Sequence, residues 1–443
     1  MKVAIAGFGA EGQSSYRYYV AKGDDVTIVT NKVSDQFPIP PDAMTIVSND
    51  AFDRLEDLDL VLRTPPMSPR SIHTNGKIWS QTNEFFAQCP APIIGVTGSK
   101  GKGTTCSFIV EILKAHFANN QDRSRDERRV HLVGNIGVPA LEILPTIKSD
   151  DIVVYELSSF QLWDLERSPN VAVMTLLEPD HLDIHADMTD YVAAKSHIFA
   201  YQNADDLVVY NEQDDTVRQL AEEAVRTTKA AGLPFLNKKF VHTEQGKFYY
   251  NDQEICSTDV VKLPGDHNLR NAAAAIAAIW HFTGGDLAAI QEGIGGFTGL
   301  PHRLSHVGTI NDRAFYDDSI ATTPGSAIAA VKSFNRPTRL ILGGHDKGAD
   351  YTELGQVIEH SNVSTVYAIG ANRDKVAAQI GSVSAVEIRK LETTSMREIV
   401  ATVYAATLPG DIIILSPAAA SFDMFTDYKD RGDQFVTAVK ELC

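Results

Sequence analysis

A glycine-rich segment that holds two lysines and two threonines is the clearest chemical signal in the sequence. It reads Gly98-Ser-Lys-Gly-Lys-Gly-Thr-Thr105, after the apolar run Ala91–Gly95 and before the helical pattern of Cys106–Phe117. In the order strand, glycine loop and helix, backbone N–H groups and a helix N-terminus face one anion, and Lys102 adds a mobile positive charge. Such turns also occur where nothing binds, but the lysines and threonines favour a phosphate site. The predicted ligand is a nucleoside triphosphate.

Oxygen ligands for a magnesium ion are predicted beside this loop. Lys102 is followed by Gly103, so Thr104 or Thr105 must supply the hydroxyl that serine or threonine gives directly after the lysine in other phosphate loops. Glu156 ends the apolar strand pattern Asp151–Tyr155, a position from which a nucleotide-binding sheet offers a carboxylate to magnesium. A helix-capping acid is the alternative for Glu156.

Acids and histidines are dense in the segment Glu178–His185, which follows the strand pattern Val171–Leu177. This density suggests contact with a metal or a substrate. His181 is the first choice for that contact, and His185 is expected at the surface or behind the site. Lys195 follows within a helical pattern, where by itself it would be an ordinary helix lysine.

Two carboxamides mark a further candidate site, at the start of an alanine-rich helix. Asn268 and Asn271 are three residues apart, so they lie on one helical face. Their donors and acceptors could read a purine edge. N-capping of the helix by Asn268 is the alternative.

The N-terminus carries a second glycine pattern. The strand Lys2–Ala6 is followed by Gly7, Gly9 and Gly12, and the next strand ends in Thr30-Asn31-Lys32 rather than in an acidic residue that would bind an adenosine ribose. A nicotinamide cofactor is therefore disfavoured. A bound phosphate or nucleotide and a purely structural turn remain equally open here.

Strands that alternate with helical patterns must position these residues, which predicts an α/β protein with parallel sheets. The proline-rich Cys89–Pro92 and the glycine-rich Gly293–Pro301 read as boundaries. We therefore expect three domains. They are a Rossmann-like N-terminal domain at 1–90, a central P-loop ATPase-type domain with a parallel sheet at 91–299, and a Rossmann-like C-terminal domain at 300–443.

Bulk composition excludes several classes of protein. The 443 residues carry a formal net charge of −17, which would repel a nucleic acid backbone. No uncharged apolar run reaches membrane-spanning length, so we expect a cytoplasmic protein without a membrane partner. The four cysteines lie far apart and lack metal-site spacing.

Taken together, the motifs resemble those of the Mur ligase family. The Lys-Gly-Thr form of the phosphate loop is similar to the ATP loops of that family and of folylpolyglutamate synthases. The motifs that carry the resemblance are Gly98–Thr105, Gly134–Gly137, Glu156–Leu162, His181, Lys195, Asn268 with Asn271, Pro301–Arg303, Asp317–Ser319, Gly343–Gly348 and Ser416–Ser421. The last motif, with Asp430-Arg-Gly432, resembles the members that add glutamate to UDP-N-acetylmuramoyl-L-alanine in peptidoglycan synthesis, a step of cell wall biogenesis that serves cell shape and division.

The resemblance implies a role for each matched residue. It implies ATP bound by Gly98, Ser99, Lys100, Gly101, Lys102, Gly103, Thr104, Thr105, Asn268, Asn271, Arg303 and Asp318. It implies two magnesium ions held by Thr104, Glu156, His181 and a carbamylated Lys195. It implies substrate contacts from Ala10, Glu11, Thr30, Asn31, Asn135, Ser158, Gln161, Thr322, Lys347, Ser421 and Tyr428, with Lys102, His181, Lys195 and Lys347 as catalytic residues. A monomer is expected.

Some positions depart from the family pattern. Ile320 stands where the family usually has a lysine, Gly343-Gly-His-Asp-Lys-Gly348 differs from the commoner loop, and Arg63-Thr-Pro-Pro-Met67 replaces a serine-proline-glycine turn. The choice between D- and L-glutamate stays open. The alternatives are a folylpolyglutamate synthase-like ligase, an NAD-dependent dehydrogenase and a nonenzymatic nucleotide-binding partner protein.

Overall fold

The computed structural model describes residues 1–34, 37–53, 55–119, 128–182, 184–346 and 348–442. The chain forms two compact units, one of Met1–Val261 with Asp266–Phe297 and the other of Lys262–Gly265 with the residues from Thr298 onward. Both contain parallel strands connected by helices, which confirms the predicted α/β class. The finer division at 1–90, 91–299 and 300–443 stays a prediction.

The N-terminal part of the first unit is a parallel sheet with flanking helices. Its described elements are strands β1 (Lys2–Ala6), β2 (Asp25–Thr30), β3 (Met44–Val47), β4 (Leu60–Arg63) and β5 (Lys77–Ser80), and helices α1 (Ala10–Ala21) and α2 (Gln81–Gln88). The order β3-β2-β1-β4-β5 reverses between β1 and β4, where such sheets open a ligand crevice. Gly7 lies there with φ +93°, and a Cβ on it would overlap Thr64, so the turn requires glycine.

The central part of the first unit contains a larger parallel sheet and a small antiparallel one. Its described strands are β6 (Ile93–Thr97), β7 (Val130–Gly134), β8 (Ile152–Glu156), β9 (Val171–Met174), β10 (Leu207–Asn211), β11 (Ala231–Phe235), β12 (Val241–Glu244), β13 (Lys247–Tyr250) and β14 (Gln253–Ser257). Its described helices are α3 (Lys102–Asn119), α4 (Ala140–Ile143), α5 (Ser159–Leu162), α6 (Met188–Ala200), α7 (Asp215–Thr228), α8 (Asp266–Thr283) and α9 (Leu287–Gly296). The parallel order is β11-β10-β9-β6-β8-β7, and β12, β13 and β14 pair antiparallel.

The middle of the parallel sheet is covered on both faces. Every residue of β6, β8 and β9 is buried, as expected for a parallel sheet whose crossover helices cover it. Because β6 pairs with both β8 and β9, the loops that follow these three strands meet at one edge. This edge carries the glycine-rich loop.

The second unit is built on a mixed sheet. Its described elements are strands β15 (Ser305–Ile310), β16 (Arg313–Asp317), β17 (Thr338–Gly343), β18 (Val363–Ile369), β19 (Glu387–Lys390) and β20 (Ile412–Leu415), and helices α10 (Pro324–Lys332), α11 (Thr352–Glu359), α12 (Arg373–Gly381), α13 (Met396–Ala405) and α14 (Tyr428–Lys440). The order is β15-β16-β20-β17-β18-β19, with β15 antiparallel to β16 and the other pairs parallel. Short 3-10 helices elsewhere in the chain are Ala51–Asp53, Pro69–Ser71, Leu144–Thr146 and Thr258–Val260.

One predicted strand is shorter than expected. The apolar pattern predicted a strand through Leu177, but β9 ends at Met174. The hydroxyl of Thr175 donates to the carbonyl oxygens of Thr97 and Lys100, which turns the chain toward the glycine-rich loop. Hydrogen bonding to a neighbouring loop therefore overrides the strand propensity of the following leucines.

Candidate active site

The glycine-rich loop connects β6 to α3, as predicted. Gly98 has φ +145° and Gly101 has φ +85°, a backbone region that other residues rarely adopt. A Cβ on Gly98 would overlap Thr175, and one on Gly101 would overlap the Asn271 side chain. The loop therefore needs glycine at both positions, and Asn271 packs directly against it.

Lys102 and Lys195 converge on a single backbone carbonyl of this loop. The Lys102 ammonium donates to Gly98 O at 2.9 Å and Ser99 O at 3.0 Å, and Lys195 donates to Gly98 O at 2.9 Å. Lys195 is 1% exposed. Burial, together with the charge of Lys102, holds the pKa of Lys195 well below its ordinary value, which favours the neutral amine.

Glu156, at the end of β8, has one carboxylate oxygen without a partner in the described part of the chain. Its Oε1 accepts from Asn135 Nδ2 at 3.0 Å, whereas its buried Oε2 has no hydrogen bond. Glu156 is 3% exposed, so bulk solvent does not reach this oxygen. An orphaned buried carboxylate oxygen is costly and fits a site that binds a hard cation.

The carboxamide pair near the loop has the predicted geometry. Helix α8 begins at Asp266, so Asn268 lies in the first turn rather than at the N-cap. Asn271 Nδ2 donates to Asn268 Oδ1 at 3.2 Å, which confirms that the two side chains share a face. Both are buried, and Asn271 packs beside the glycine-rich loop.

The two histidines of the acidic segment have different surroundings. His181 is about half exposed, with φ +53° and Nε2 3.6 Å from Asp180. His185, expected at the surface or behind the site, is buried: its Nδ1 lies 3.2 Å from Asp190 and its Nε2 lies 2.9 Å from Ser159 Oγ. His185 is therefore not at the surface. No group of three or more His, Cys, Asp or Glu side chains in the described ranges is arranged to hold a metal by itself.

Three predicted substrate residues meet at helix α5. Ser158 caps the helix together with Gln161, whose Oε1 accepts from the Ser158 backbone at 2.9 Å. Gln161 Nε2 donates to Glu11 Oε1 at 2.7 Å. Burial raises the pKa of Glu11 to about 7. The N-terminal and central parts of the first unit thus share a hydrogen-bonded cluster.

The other predicted N-terminal residues lie at the carboxyl edge of the same sheet. Ala10 opens α1 and is exposed, and Thr30 ends β2 with its hydroxyl donating to Lys32 O at 2.9 Å. Asn31 follows and is exposed. Since β1 and β2 are adjacent parallel strands, these residues face one crevice edge.

Arg63, at the end of β4, makes important contacts that the sequence analysis did not predict. Its guanidinium is fully buried, and it donates from Nε to Asp164 Oδ2 at 2.7 Å and from Nη2 to Phe160 O at 2.8 Å. Phe160 belongs to α5, so Arg63 anchors the helix that carries Gln161. A lone cation at the end of an apolar strand was the available sequence signal.

In the second unit, the predicted residues lie on loops at the carboxyl ends of β16 and β20. Asp318 follows β16, where it accepts from Ser416 Oγ at 2.7 Å and from the Leu304 amide at 3.1 Å. Burial raises the pKa of Asp318 to about 7. Arg303 is exposed, but its charge acts on this carboxylate.

Further predicted residues are spread over the same loops. Thr322 donates its amide to Ile320 O at 2.8 Å, Ser421 is buried beyond β20, and Tyr428 begins α14. Lys347 lies outside the described residues.

Comparison with known proteins identifies the family. The family model of the Mur ligase middle domain matches residues 96–279, and that of the Mur ligase, glutamate ligase domain matches residues 302–419. A UDP-N-acetylmuramoylalanine--D-glutamate ligase from Acetivibrio thermocellus is 35% identical over 471 aligned residues, which cover 100% of this chain and 96% of that relative. The chain belongs to the Mur ligase family. The resemblance inferred from the motifs is therefore confirmed, and the protein is an enzyme of the ligase class.

Solved structures agree with this Mur ligase at the level of the fold. The MurF ligase from Thermotoga maritima in complex with ADP has a TM-score of 0.58 and 16% identity, covering 100% of this chain and 95% of that one. A folylpolyglutamate synthase from Mycobacterium tuberculosis has a TM-score of 0.56 and 16% identity, covering 82% of this chain and 94% of that one. Within the described residues of the Mur ligase, no helix is long and apolar enough to cross a membrane.

Proposed function

We propose that this Mur ligase joins glutamate to UDP-N-acetylmuramoyl-L-alanine through an amide bond, with cleavage of ATP to ADP and phosphate. The observation that carries the proposal is the 35% identity, over the full length of the chain, to a ligase named for those two substrates. A cytoplasmic location, a monomeric state and the three-domain division remain predictions of the sequence.

The glycine-rich loop supports the binding of the ATP phosphates. Its positive-φ glycines let backbone N–H groups approach an anion, and Lys102 lies within reach of the same loop. We assign the loop from Gly98 to Thr105 to the phosphates and Asn268 with Asn271 to the adenine. We also assign Arg303 and Asp318 to the adenine nucleotide, on their motifs alone.

The orphaned oxygen of Glu156 fits a magnesium ion, with the Thr104 hydroxyl as a second oxygen ligand. When bound, the ion would neutralise charge on the transferred phosphoryl group. For a second ion we propose His181 and Lys195. The buried amine of Lys195, whose pKa is lowered, is suited to react with carbon dioxide, because only the neutral amine is a nucleophile. The resulting carbamate would offer oxygen ligands.

The acceptor would lie along the first unit. We assign Asn135, Ser158 and Gln161 to the muramoyl peptide, since the Glu156–Asn135 contact and the α5 cap bring these side chains to one edge of the sheet. The uracil nucleotide would contact the carboxyl edge of the N-terminal sheet, through Ala10, Glu11, Thr30 and Asn31.

The incoming glutamate would contact the second unit through Thr322, Lys347, Ser421 and the backbone near Tyr428. Ile320 can neither donate a hydrogen bond from its side chain nor carry charge, so the lysine usual at this position in the family has no equivalent there. D-Glutamate is the expected donor, in line with the name of the A. thermocellus relative.

The chemistry proceeds through an acyl phosphate. The acceptor carboxylate attacks the terminal phosphorus of ATP, the bond to the bridging oxygen breaks, and ADP leaves. Positioned cations, including Lys102, stabilise the charge on the phosphoryl oxygens. The neutral amine of glutamate then attacks the acyl carbon and loses a proton, and the carbon–oxygen bond to phosphate breaks to leave the amide.

Product mass tests the proposal. The full chain is incubated with magnesium, ATP, UDP-N-acetylmuramoyl-L-alanine and either D- or L-glutamate. We expect ADP, phosphate and a conjugate that is heavier than the acceptor by one glutamyl residue, formed with D-glutamate. Lys102→Ala should abolish it, whereas Lys114→Ala, an exposed lysine of the same helix, should not. ADP without a conjugate, or neither, contradicts the proposal.

Three alternatives are tested alongside. A folylpolyglutamate synthase-like enzyme would join glutamate to a folate offered in place of the muramoyl acceptor. The N-terminal sheet would have no assigned role in such an enzyme. A thermal shift with NAD would favour a dehydrogenase, which the Thr30-Asn31-Lys32 strand end disfavours. Nucleotide binding without any ligation would favour a nonenzymatic partner protein.

A further inference from the structure

The signature Asp430-Arg431-Gly432 has no part in the proposed chemistry, yet Arg431 is one of the most completely buried charged residues of the second unit, at 1% exposure. All three guanidinium nitrogens donate hydrogen bonds. Nε donates to Ser319 Oγ at 2.9 Å, Nη2 to Ser319 O at 2.8 Å, and Nη1 to Ala419 O at 3.1 Å and Ala420 O at 3.3 Å. One side chain of α14 therefore binds the loop after β16 and the loop after β20.

Ser319 extends this connection to the start of α14. Its hydroxyl donates to Tyr428 O at 2.7 Å, and its amide donates to Asp317 Oδ1 at 2.9 Å. Three segments are thus fixed to one another through Arg431 and Ser319. They are the segments that carry the proposed nucleotide and glutamate contacts Asp318, Thr322, Ser421 and Tyr428.

Gly432 has a separate steric role in the same assembly. A Cβ on Gly432 would overlap the His302 ring. His302 Nδ1 lies 2.7 Å from Asp317 Oδ2, and the His302 backbone carbonyl accepts from Ile320 N at 3.0 Å. Glycine at 432 therefore leaves room for the imidazole that supports the loop after β16 from its other side.

We propose that Arg431 and Gly432 are positioning residues that hold the loops after β16 and β20 in the relative positions needed to bind glutamate and the adenine nucleotide. This inference rests on the proposed function and deepens it, since neither residue is assigned a contact with a substrate. A planar, forked guanidinium can satisfy carbonyl groups on two loops at once, which a lysine ammonium cannot reproduce.

The first test compares Arg431→Lys with Arg339→Lys. Arg339 lies in the same unit and is largely buried, with donors to Asp411, Ser364 and Thr365, but it belongs to the first residues of β17 and so to the opposite end of the sheet. KM is measured separately for glutamate, ATP and the muramoyl acceptor, and Tm is measured for each protein.

We expect Arg431→Lys to raise KM for glutamate and ATP at least about tenfold, with KM for the muramoyl acceptor within about twofold of the parent. Arg339→Lys should leave all three within about twofold. Equal KM changes for all substrates in Arg431→Lys, or no change, would overturn the inference. If the parent forms no conjugate, the proposed function itself is wrong. If the parent ligates normally and the KM pattern is absent, only this inference is wrong.

A second pair keeps the test decisive if Arg431→Lys does not fold. Gly432→Ala should raise KM for glutamate and ATP, because the methyl displaces His302. Gly325→Ala is its control, since Gly325 is also helical but its Cβ would meet no atom within 4 Å. Gly325→Ala should preserve every KM and slightly raise Tm. Parent-like KM values in Gly432→Ala would overturn the inference.

Discussion

Glu156 and Arg431 are two buried charged side chains, one at the ligand edge of each unit, that differ in how fully they are hydrogen-bonded. In the first unit, Glu156 keeps a carboxylate oxygen without a described partner, and Lys195 makes no described ion pair. In the second unit, every guanidinium nitrogen of Arg431 is hydrogen-bonded, and Asp318 accepts from two donors. An orphaned polar atom lowers stability and is retained where a ligand completes it, whereas a satisfied one fixes the backbone. The contrast between Glu156 and Arg431 separates a proposed magnesium ligand from a proposed positioning residue.

The largest expected effect comes from Glu156→Gln. A neutral amide oxygen is a weaker magnesium ligand than a carboxylate, so ligation should fall about 10³-fold. Stability should stay equal or rise, because the orphaned charged oxygen is removed. Phosphate release and thermal unfolding measure the two effects. Glu223→Gln, on the exposed face of α7, is the control and should change neither. Activity within tenfold of the parent would contradict the contrast.

Removal of the buried cation that anchors α5 should cost the most stability. Arg63→Met leaves Asp164 charged without its partner and the Phe160 carbonyl without a donor, so the free energy of unfolding should fall by about 3 kcal/mol. Urea denaturation measures the loss. Asp164→Asn added to Arg63→Met should recover part of it, and a double variant that is no more stable than Arg63→Met would show that the ion pair is not the cause.

Lys195→Ala tests whether Lys195 supplies oxygen ligands for a magnesium ion in the form of its carbamate. Ligation should fall about 10²-fold, and short carboxylic acids added to the assay should restore part of it by supplying oxygen ligands. Lys114→Ala removes an exposed lysine from α3 and serves as the control, so its activity should stay at the parent level with or without added acid. Full activity of Lys195→Ala without added acid would reject the carbamate.

Asp318→Asn should have the smallest effect, which depends on pH. Burial raises the pKa of the folded carboxyl from an ordinary 3.8 to about 7. Its contribution to stability is therefore fully present below pH 4 and is lost as pH rises through 7. The asparagine variant avoids this loss, so its unfolding free energy relative to that of the parent should be higher at pH 8 than at pH 4. Urea denaturation at the two pH values measures the change, and an equal difference at both would contradict the shift.

Local patterns predicted the elements that carry the chemistry but not all their neighbours. The glycine loop, the strand that ends in Glu156 and the helix with Asn268 and Asn271 follow from apolar runs bounded by glycine and polar residues. The strands β4 and β7 were missed, because β4 has only three consecutive apolar residues and the apolar residues of β7 are interrupted by His131. The extent of β9 was overestimated because a hydrogen bond to another loop ends it.

The sequence by itself determined the α/β class, the phosphate loop and the family, since these depend on residue types at short spacing. Only the tertiary structure decided that Gln161 bonds to Glu11, that Arg63 anchors α5 and that Arg431 connects two loops with the start of α14. Most of these contacts join residues about a hundred or more positions apart, and their energies arise from burial and hydrogen-bond geometry, which appear once the strands are paired.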